Sequence, residues 1–233
     1  MKLKQTVKSL AVISTLFSAA QVSAANLDIT LVNLTHSLAF TPVLVAAHDQ
    51  DNSLFTLGEE ATLALQKMAE GGDTSDLKSD VSASGGTTLD LTSAPTLAGT
   101  TSTGTIDTES NEYLSLTAMI LPTNDGFVGL DSWKIPTEAG TYTIMLNAYD
   151  AGTEINDEII NGGGSPGVAG IPADPSGNAG TGGTGASLNE ANTNVHIHPG
   201  SVGDTDTEGG ISDLDSTVHR WLNPVAKLVV TVN

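Results

Sequence analysis

The sequence predicts an all-β fold, an antiparallel β-sandwich with one amphipathic helix inserted between strands and long polar connections. Three observations support it: many short stretches rich in β-branched and aliphatic residues, a single stretch with helical periodicity, and Gly-, Ser- and Thr-rich segments between them. The chain has 233 residues and no cysteine, so stability must come from a buried core and not from disulfides.

Residues 1–24 have the layout of a secretory signal, with three lysines, the apolar run LAVISTLFSAA and small residues before Ala24. The apolar run is too short to span the roughly 30 Å of hydrocarbon in a bilayer. We therefore expect cleavage near Ala24 and a mature domain over residues 25–233. The product should be secreted or periplasmic, with no transmembrane segment.

The charge of the chain restricts its partners. The net charge is −19, and loss of the three lysines in the signal would move it to −22. Such a surface repels nucleic-acid phosphates and attracts divalent cations, so we expect no nucleic-acid partner. An acidic surface that serves only solubility or salt adaptation has the same composition.

The strands are predicted in chain order from period-two alternation and β-branched content. The stretches TTLDLTSA and TGTIDT carry only weak strand signals. The full set is LDITLVNLT (27–35), FTPVLVAAHD (40–49), TTLDLTSA (87–94), TGTIDT (103–108), EYLSLTAMILPT (112–123), TYTIMLNAY (141–149), NTNVHIHPG (192–200) and PVAKLVVTVN (224–233).

One helix is predicted over about residues 59–70. Leu65 and Met68 fall on one face, acidic residues occupy the first turn, and Gly71-Gly72 provides the stop. Residues 75–111 are otherwise rich in Ser, Thr, Gly and Asp and predict connections. Residues 161–185 contain ten glycines and predict a flexible surface loop.

Acidic side chains follow two of the predicted strands. In YDAGTE, Asp150 ends a strand, Gly152 allows a tight turn and Glu154 returns toward the same side; Asp125 directly follows EYLSLTAMILPTN. Calcium takes six to eight oxygen ligands, which carboxylates and loop carbonyls supply. If the two strand ends converge, these acids could share one calcium ion, whereas in isolation they would form a solvated turn. We expect Asp157 and Glu158 to be exposed charges and not ligands.

Five segments, taken in order, carry a resemblance to a known family. They are FTPVLVAAHD, LFTLGEEATLALQKMAEGGD, LSLTAMILPTNDGFVGLDS, YTIMLNAYDAGTEINDE and WLNPVAKLVVTV. This order resembles the spondin N-terminal domain, especially its exported bacterial versions. PTNDGFVGL and YDAGTE are the most specific matches.

The resemblance implies an antiparallel β-sandwich similar to calcium-dependent membrane-binding sandwich domains, with one bound calcium. The three metal aspartates of the family correspond to Asp125, Asp150 and position 154, where this chain has the longer Glu154. It also implies a non-enzymatic module for adhesion or for contact with an extracellular protein or glycan. The glycine-rich segment and the missing cysteines depart from the animal pattern.

Two other groups of residues suggest metal binding. His196 and His198 lie two apart, so on a strand they share a face and could hold a metal in a metal-dependent hydrolase; packed or hydrogen-bonded histidines have the same spacing. The loop 204–215 carries five acids and could bind a second calcium or be simply solvated. A purely structural periplasmic module is the third alternative. No nucleophile elbow or phosphate-binding loop is present, so no catalytic residue is assigned.

Overall fold

A computed structural model describes residues 25–186 and 189–233, so the predicted signal at 1–24 lies outside the described residues. The described chain forms ten strands and two short helices. Their bounds are β1 Asn26–Asn33, β2 Ala39–Phe40, β3 Leu44–His48, α1 Leu63–Gly71, α2 Ser75–Ala83, β4 Thr87–Asp90, β5 Thr101–Asp107, β6 Tyr113–Leu121, β7 Gly126–Lys134, β8 Gly140–Asp150, β9 His196–Ile197 and β10 Ala226–Val232.

The strands pair antiparallel in the order β4-β3-β6-β7-β8-β10-β1-β5, with β2 beside β6 and β9 beside β8. The ends of this order nearly meet, because the hydroxyl of Thr87 in β4 donates to the carbonyl of Asp107 beside it in β5 at 2.8 Å. The result is a sandwich that almost closes on itself. The all-β antiparallel fold predicted from the sequence is confirmed.

The main core lies inside this nearly closed sheet and follows from strand alternation. In β10 every second residue is buried, and Leu228 pairs across the sheet with Leu31 on one side and Ile144 on the other. Burying a leucine completely stabilises the fold by about 1.5–3 kcal/mol relative to leaving it exposed. The central place of β10 makes the C-terminal strand essential to this core.

The helices cover the outer face of the sheet where β6 and β7 lie, and they enclose a second core there. Leu65 and Met68 of α1 pack in the same buried cluster as Met119 of β6 and Phe127 of β7. The predicted helix exists, but it begins at Leu63 and not at residue 59, since the Thr62 side chain caps it by accepting the N–H of Leu65 at 3.1 Å. None of the helices described is both long and apolar enough to cross a membrane.

Two elements escaped sequence prediction. The helix α2 buries only Leu77 and Val81, so its apolar face is too sparse to show helical periodicity. The strand β7 begins with glycine and continues into the polar residues Asp131 and Ser132, so it was not separated from the preceding loop. This strand places Asp125, the residue before it, next to the end of β8.

Candidate metal centre

The structure brings Asp125 and Asp150 together at one end of the sandwich. Gly126, the first residue of β7, pairs with Asp150, the last residue of β8, and the N–H of Ala151 donates to the carbonyl of Asp125 at 3.3 Å. Both aspartates are 0% exposed. The convergence of two strand ends that the sequence suggested is therefore present in the fold.

The two oxygens of Asp125 have unequal surroundings. Oδ2 accepts hydrogen bonds from the Thr153 N–H at 2.8 Å, the Thr153 hydroxyl at 3.1 Å and the Glu154 N–H at 3.1 Å. Oδ1 is buried and has no hydrogen-bond partner among residues 25–186 and 189–233. A buried oxygen with no donor is costly, and a carboxylate oxygen in that state is a strong acceptor for a cation or a proton.

Electrostatics at this pair favour neutralisation. Burial, and then repulsion by Asp150, raise the pKa of Asp125 to about 8, although the hydrogen bonds from Thr153 and Glu154 act in the opposite direction. Burial also raises the pKa of Asp150, against hydrogen bonds from Asn156 and Gly152. Within the described residues no lysine or arginine pairs with either acid; only His196 Nδ1 approaches Asp150 Oδ1, at 3.8 Å.

Glu154 contacts Asp125 through its backbone N–H, while its carboxylate turns toward a neighbouring loop. Its Oε2 accepts the N–H of Gly170 at 3.1 Å, and its Oε1 is buried without a partner. Burial, together with repulsion by the Glu70 carboxylate at the end of α1, raises the pKa of Glu154 to about 7, although the hydrogen bond from Gly170 acts in the opposite direction. We call Asp125, Asp150 and Glu154 the Asp125 cluster.

Two observations bear on whether the Asp125 cluster fits a calcium ion. Its ligand atoms are hard oxygens, and Asp125 Oδ1 and Glu154 Oε1 are both buried acceptors without donors. As the side chains are placed, however, no three His, Asp or Glu residues of the described chain form a group that could hold a metal. The residue types and the free acceptors fit calcium, and a complete ligand set requires the Glu154 carboxylate to turn inward.

Asn156 supports the cluster and was not identified from the sequence. Its side-chain N–H₂ donates to Asp150 Oδ2 at 2.7 Å and to Glu190 Oε1 at 2.9 Å. Asn156 lies in the acidic turn that follows Asp150, so its position in the sequence could have suggested that it hydrogen-bonds to one of these acids. Glu190 is 34 residues further along the chain, and no local pattern indicates it.

His198 of the histidine pair is packed in the interior, and within the described residues its Nε2 is buried without a hydrogen-bond partner. His198 is 5% exposed, its Nδ1 accepts the N–H of Gly200 at 3.0 Å, and its ring packs on Trp221 with centroids 4.9 Å apart. Since Nδ1 accepts, the neutral ring carries its proton on Nε2 and offers a metal no lone pair. Burial, and then His196, lower the pKa of His198 to about 3.

The acids of the C-terminal loops are already satisfied by hydrogen bonds. Asp213 Oδ1 accepts three backbone N–H groups and Oδ2 accepts a fourth; Asp204 accepts three. The expectation that Glu158 is exposed was wrong: it is buried and accepts from Val202, Gly203 and Ser212. We call Glu158, Asp204 and Asp213 the Asp213 cluster. In the part of the chain that the structure describes, every buried carboxylate oxygen of the Asp213 cluster has a hydrogen-bond donor.

The glycine-rich segment 161–185 contains no helix or regular strand, and several of its backbone N–H groups donate to carboxylates elsewhere in the fold. The N–H groups of Gly182 and Gly183 reach Asp213, that of Gly167 reaches Glu70 at 2.7 Å, and that of Gly170 reaches Glu154. Glycines suit this role because a chain without Cβ atoms can bring its amides close to a carboxylate. The flexibility of the segment stays a prediction.

The family profile for Spondin_N matches residues 33–157, which is more than half of the chain and includes all of the Asp125 cluster. The chain belongs to the Spondin_N family. Spondin_N is a non-enzymatic extracellular domain type, so membership indicates an extracellular or cell-surface module. The histidine pair and the Asp213 cluster lie outside the matched residues, although Glu158 directly follows the end of the match. A comparison with curated proteins found no matching relative.

Proposed function

We propose that this spondin domain is a secreted, non-enzymatic module that binds one calcium ion through Asp125, Asp150 and Glu154 and serves adhesion or contact at a cell surface. The observation that carries the proposal is the unpartnered Oδ1 of the fully buried Asp125, placed beside the equally buried Asp150. Two carboxylates in this position must share a proton or meet a cation.

Calcium suits this site better than a softer metal. The candidate ligands are carboxylate oxygens, and the turn after β8 also offers backbone carbonyls, which is the oxygen-rich chemistry that calcium prefers. No cysteine is present in the chain, and His198 has no lone pair to offer. The net charge of −19 also raises the local concentration of divalent cations.

The role of the ion follows from where the ligands lie. Asp125 precedes β7, whereas Asp150 and Glu154 belong to the turn that leaves β8. An ion bound by all three would fasten two loops at one end of the sandwich and offset their mutual repulsion. A rigid loop surface of this kind suits the binding of an extracellular protein or glycan.

The direct test is thermal unfolding of chelator-treated protein with and without calcium. At one hundred times the dissociation constant, a ligand that binds only the folded state adds about 2.7 kcal/mol of stability. For a domain of this length that corresponds to a rise in Tm of roughly 5–10 °C. Magnesium at the same concentration should have a smaller effect because it dehydrates reluctantly.

Variants separate site binding from general charge screening. Asp150→Ala should abolish the rise in Tm, whereas Glu138→Gln, which removes one charge from an exposed turn, should leave it intact. A Tm that calcium does not change in the native sequence would contradict the proposal. So would an equal response in Asp150→Ala, since the ion would then act elsewhere.

A further inference from the structure

The sequence contains a single Asp–Pro bond, between Asp174 and Pro175, and it lies in the glycine-rich segment. Asp174 is 7% exposed, whereas Pro175 and the residues after it are exposed to solvent. A bond to proline is a tertiary amide whose nitrogen carries no hydrogen and leaves as a basic secondary amine. Such a bond is the weakest type of peptide link toward attack by a neighbouring carboxylate.

The side chain of Asp174 is held across its own peptide bond. Oδ1 accepts the N–H of Ser176 at 2.8 Å, and Oδ2 accepts the Ser176 hydroxyl at 2.7 Å. The first of these contacts is an Asx turn, in which the hydrogen-bonded ring encloses the peptide unit between the aspartate and the next residue. The turn therefore folds the carboxylate back over the peptide unit between Asp174 and Pro175.

The carbonyl group itself is polarised. The N–H of Gly177 donates to the Asp174 carbonyl oxygen at 2.9 Å, which stabilises negative charge that develops there during attack. His219 faces the carboxylate from the other side. Its Nδ1 accepts the Asp215 N–H at 3.1 Å, so the neutral ring carries its proton on Nε2, which lies 3.9 Å from Asp174 Oδ2.

We propose that the folded chain cleaves itself between Asp174 and Pro175. A carboxylate oxygen of Asp174 bonds to its own carbonyl carbon, the bond from that carbon to the Pro175 nitrogen breaks, and the nitrogen takes a proton from acidic solvent. The cyclic anhydride left at Asp174 is opened by one water molecule. The products are a chain that ends in the two carboxyl groups of Asp174 and a chain that begins with the secondary amine of Pro175.

The two pieces stay assembled after the cut. The second piece contains β10, which lies between β8 and β1 and pairs with seven residues on each side. Cleavage therefore changes the loop and leaves the sandwich intact. Gel filtration should show one peak at the original position, and denaturing electrophoresis should show two fragments.

The test compares folded and unfolded protein at the lowest pH at which the far-UV circular dichroism is unchanged. One sample is kept native and the other is unfolded in guanidinium chloride at that same pH, and intact-mass measurement follows the fragments that end at Asp174 and begin at Pro175. Holding the reacting groups in place should make cleavage at least about tenfold faster in the folded chain. Equal or slower cleavage, no cleavage, or cleavage elsewhere would overturn the proposal.

Two serine variants test the geometry. Ser176→Ala removes the hydroxyl contact to Asp174 and should slow cleavage severalfold in the folded chain while leaving the unfolded rate unchanged. Ser165→Ala, at an exposed serine of the same segment, should change neither rate. Asp174→Asn removes the nucleophile and should stop the reaction in both states. A folded rate that Ser176→Ala leaves unaltered would show that the turn does not direct the reaction.

Discussion

The Asp125 cluster and the Asp213 cluster bury acids in opposite ways. Asp213 receives backbone N–H groups from Thr181, Gly182, Gly183 and Ile160, all at 2.7–2.9 Å. Burial alone would raise its pKa, but these donors outweigh burial, so the pKa of Asp213 is lowered. Asp125 has one oxygen without any donor and a neighbouring acid, and its pKa is raised to about 8.

The comparison shows that burial alone does not make a metal site. A carboxylate that backbone amides surround is stable as an anion and needs no ion. A buried carboxylate with an open oxygen and an acidic neighbour is stable only when a proton or a cation neutralises it. The two clusters therefore predict opposite responses to mutation, to pH and to calcium.

The largest effect is expected from Asp213→Ala. The substitution leaves four backbone donors without their acceptor, so the free energy of unfolding should fall by about 3–5 kcal/mol. Asp206→Ala is the matched control in the same loop, because Asp206 is exposed and, among the described residues, its side chain accepts only the Glu208 N–H. The control should cost less than about 1 kcal/mol. Urea unfolding measures the free energy of unfolding of both variants. Similar losses in the two would contradict the stabilising role assigned to the Asp213 carboxylate.

The second effect concerns pH in chelator-treated protein. Asp125 has a folded pKa above its unfolded value, so the folded state binds more protons and stability falls as pH rises from about 4 to about 8. The loss should exceed about 1.4 kcal/mol, the equivalent of one pKa unit. Calcium should remove most of it. Urea unfolding midpoints that stayed constant between about pH 4 and 8 would contradict the raised pKa of Asp125.

The Asp213 cluster should show the reverse dependence. Asp213 and Asp204 have folded pKa values below the ordinary 3.8, so their contribution is present above that pH and is lost as pH falls through their folded pKa values. Asp213→Asn should therefore remove part of the acid-induced loss of stability below about pH 4. The same substitution should leave the decline between about pH 4 and 8 unchanged.

A smaller effect is expected from Asp125→Asn. In chelator at about pH 8 the variant removes an unneutralised buried charge, so its stability should equal or exceed that of the native sequence by about 1 kcal/mol. In calcium the order should reverse, because the variant cannot gain the ion. Destabilisation in both conditions would mean that Asp125 acts only through its hydrogen bonds to Thr153 and Glu154.

The smallest effect is expected from Glu154→Asp. The shorter side chain is still a competent calcium ligand, so the dissociation constant should change by no more than about threefold, or about 0.7 kcal/mol. Glu154→Gln removes the charge at nearly the same length and should weaken binding more. Calcium titration of the two variants compares the effect of removing the charge with the effect of shortening the side chain. If both variants bound calcium with the same affinity, Glu154 would not be a ligand.

The sequence predicts the sandwich well because its signals are local. Alternation in LDITLVNLT and in PVAKLVVTVN marks β1 and β10, and their pairing follows from burial of the same face. The failures have physical causes. The two glycines of GFVGLDSWK interrupt its apolar run and hide β7, and α2 has too few apolar residues to show a face. The Thr62 cap moved the start of α1.

The candidate site was predicted in part. Asp125 and Asp150 could be identified because each follows a strand and strand ends converge in a sandwich. The burial of Glu158 could not be predicted, since its donors at Val202 and Gly203 are 44 and 45 residues away. The orientation of Glu154 depends likewise on Gly170 in the glycine-rich segment. The binding of calcium itself stays a prediction.

The most direct measurement is calorimetric titration of chelator-treated protein with calcium at about pH 7, repeated in buffers of different ionisation enthalpy. Because the pKa of Asp125 is raised to about 8, an incoming ion must displace a proton. The expected result is one calcium per chain with release of one to two protons, because the pKa of the ligand Glu154 is also raised, to about 7. Asp125→Asn should show neither the binding nor the proton release. No binding, or binding that releases no proton and persists in Asp125→Asn, would contradict the account.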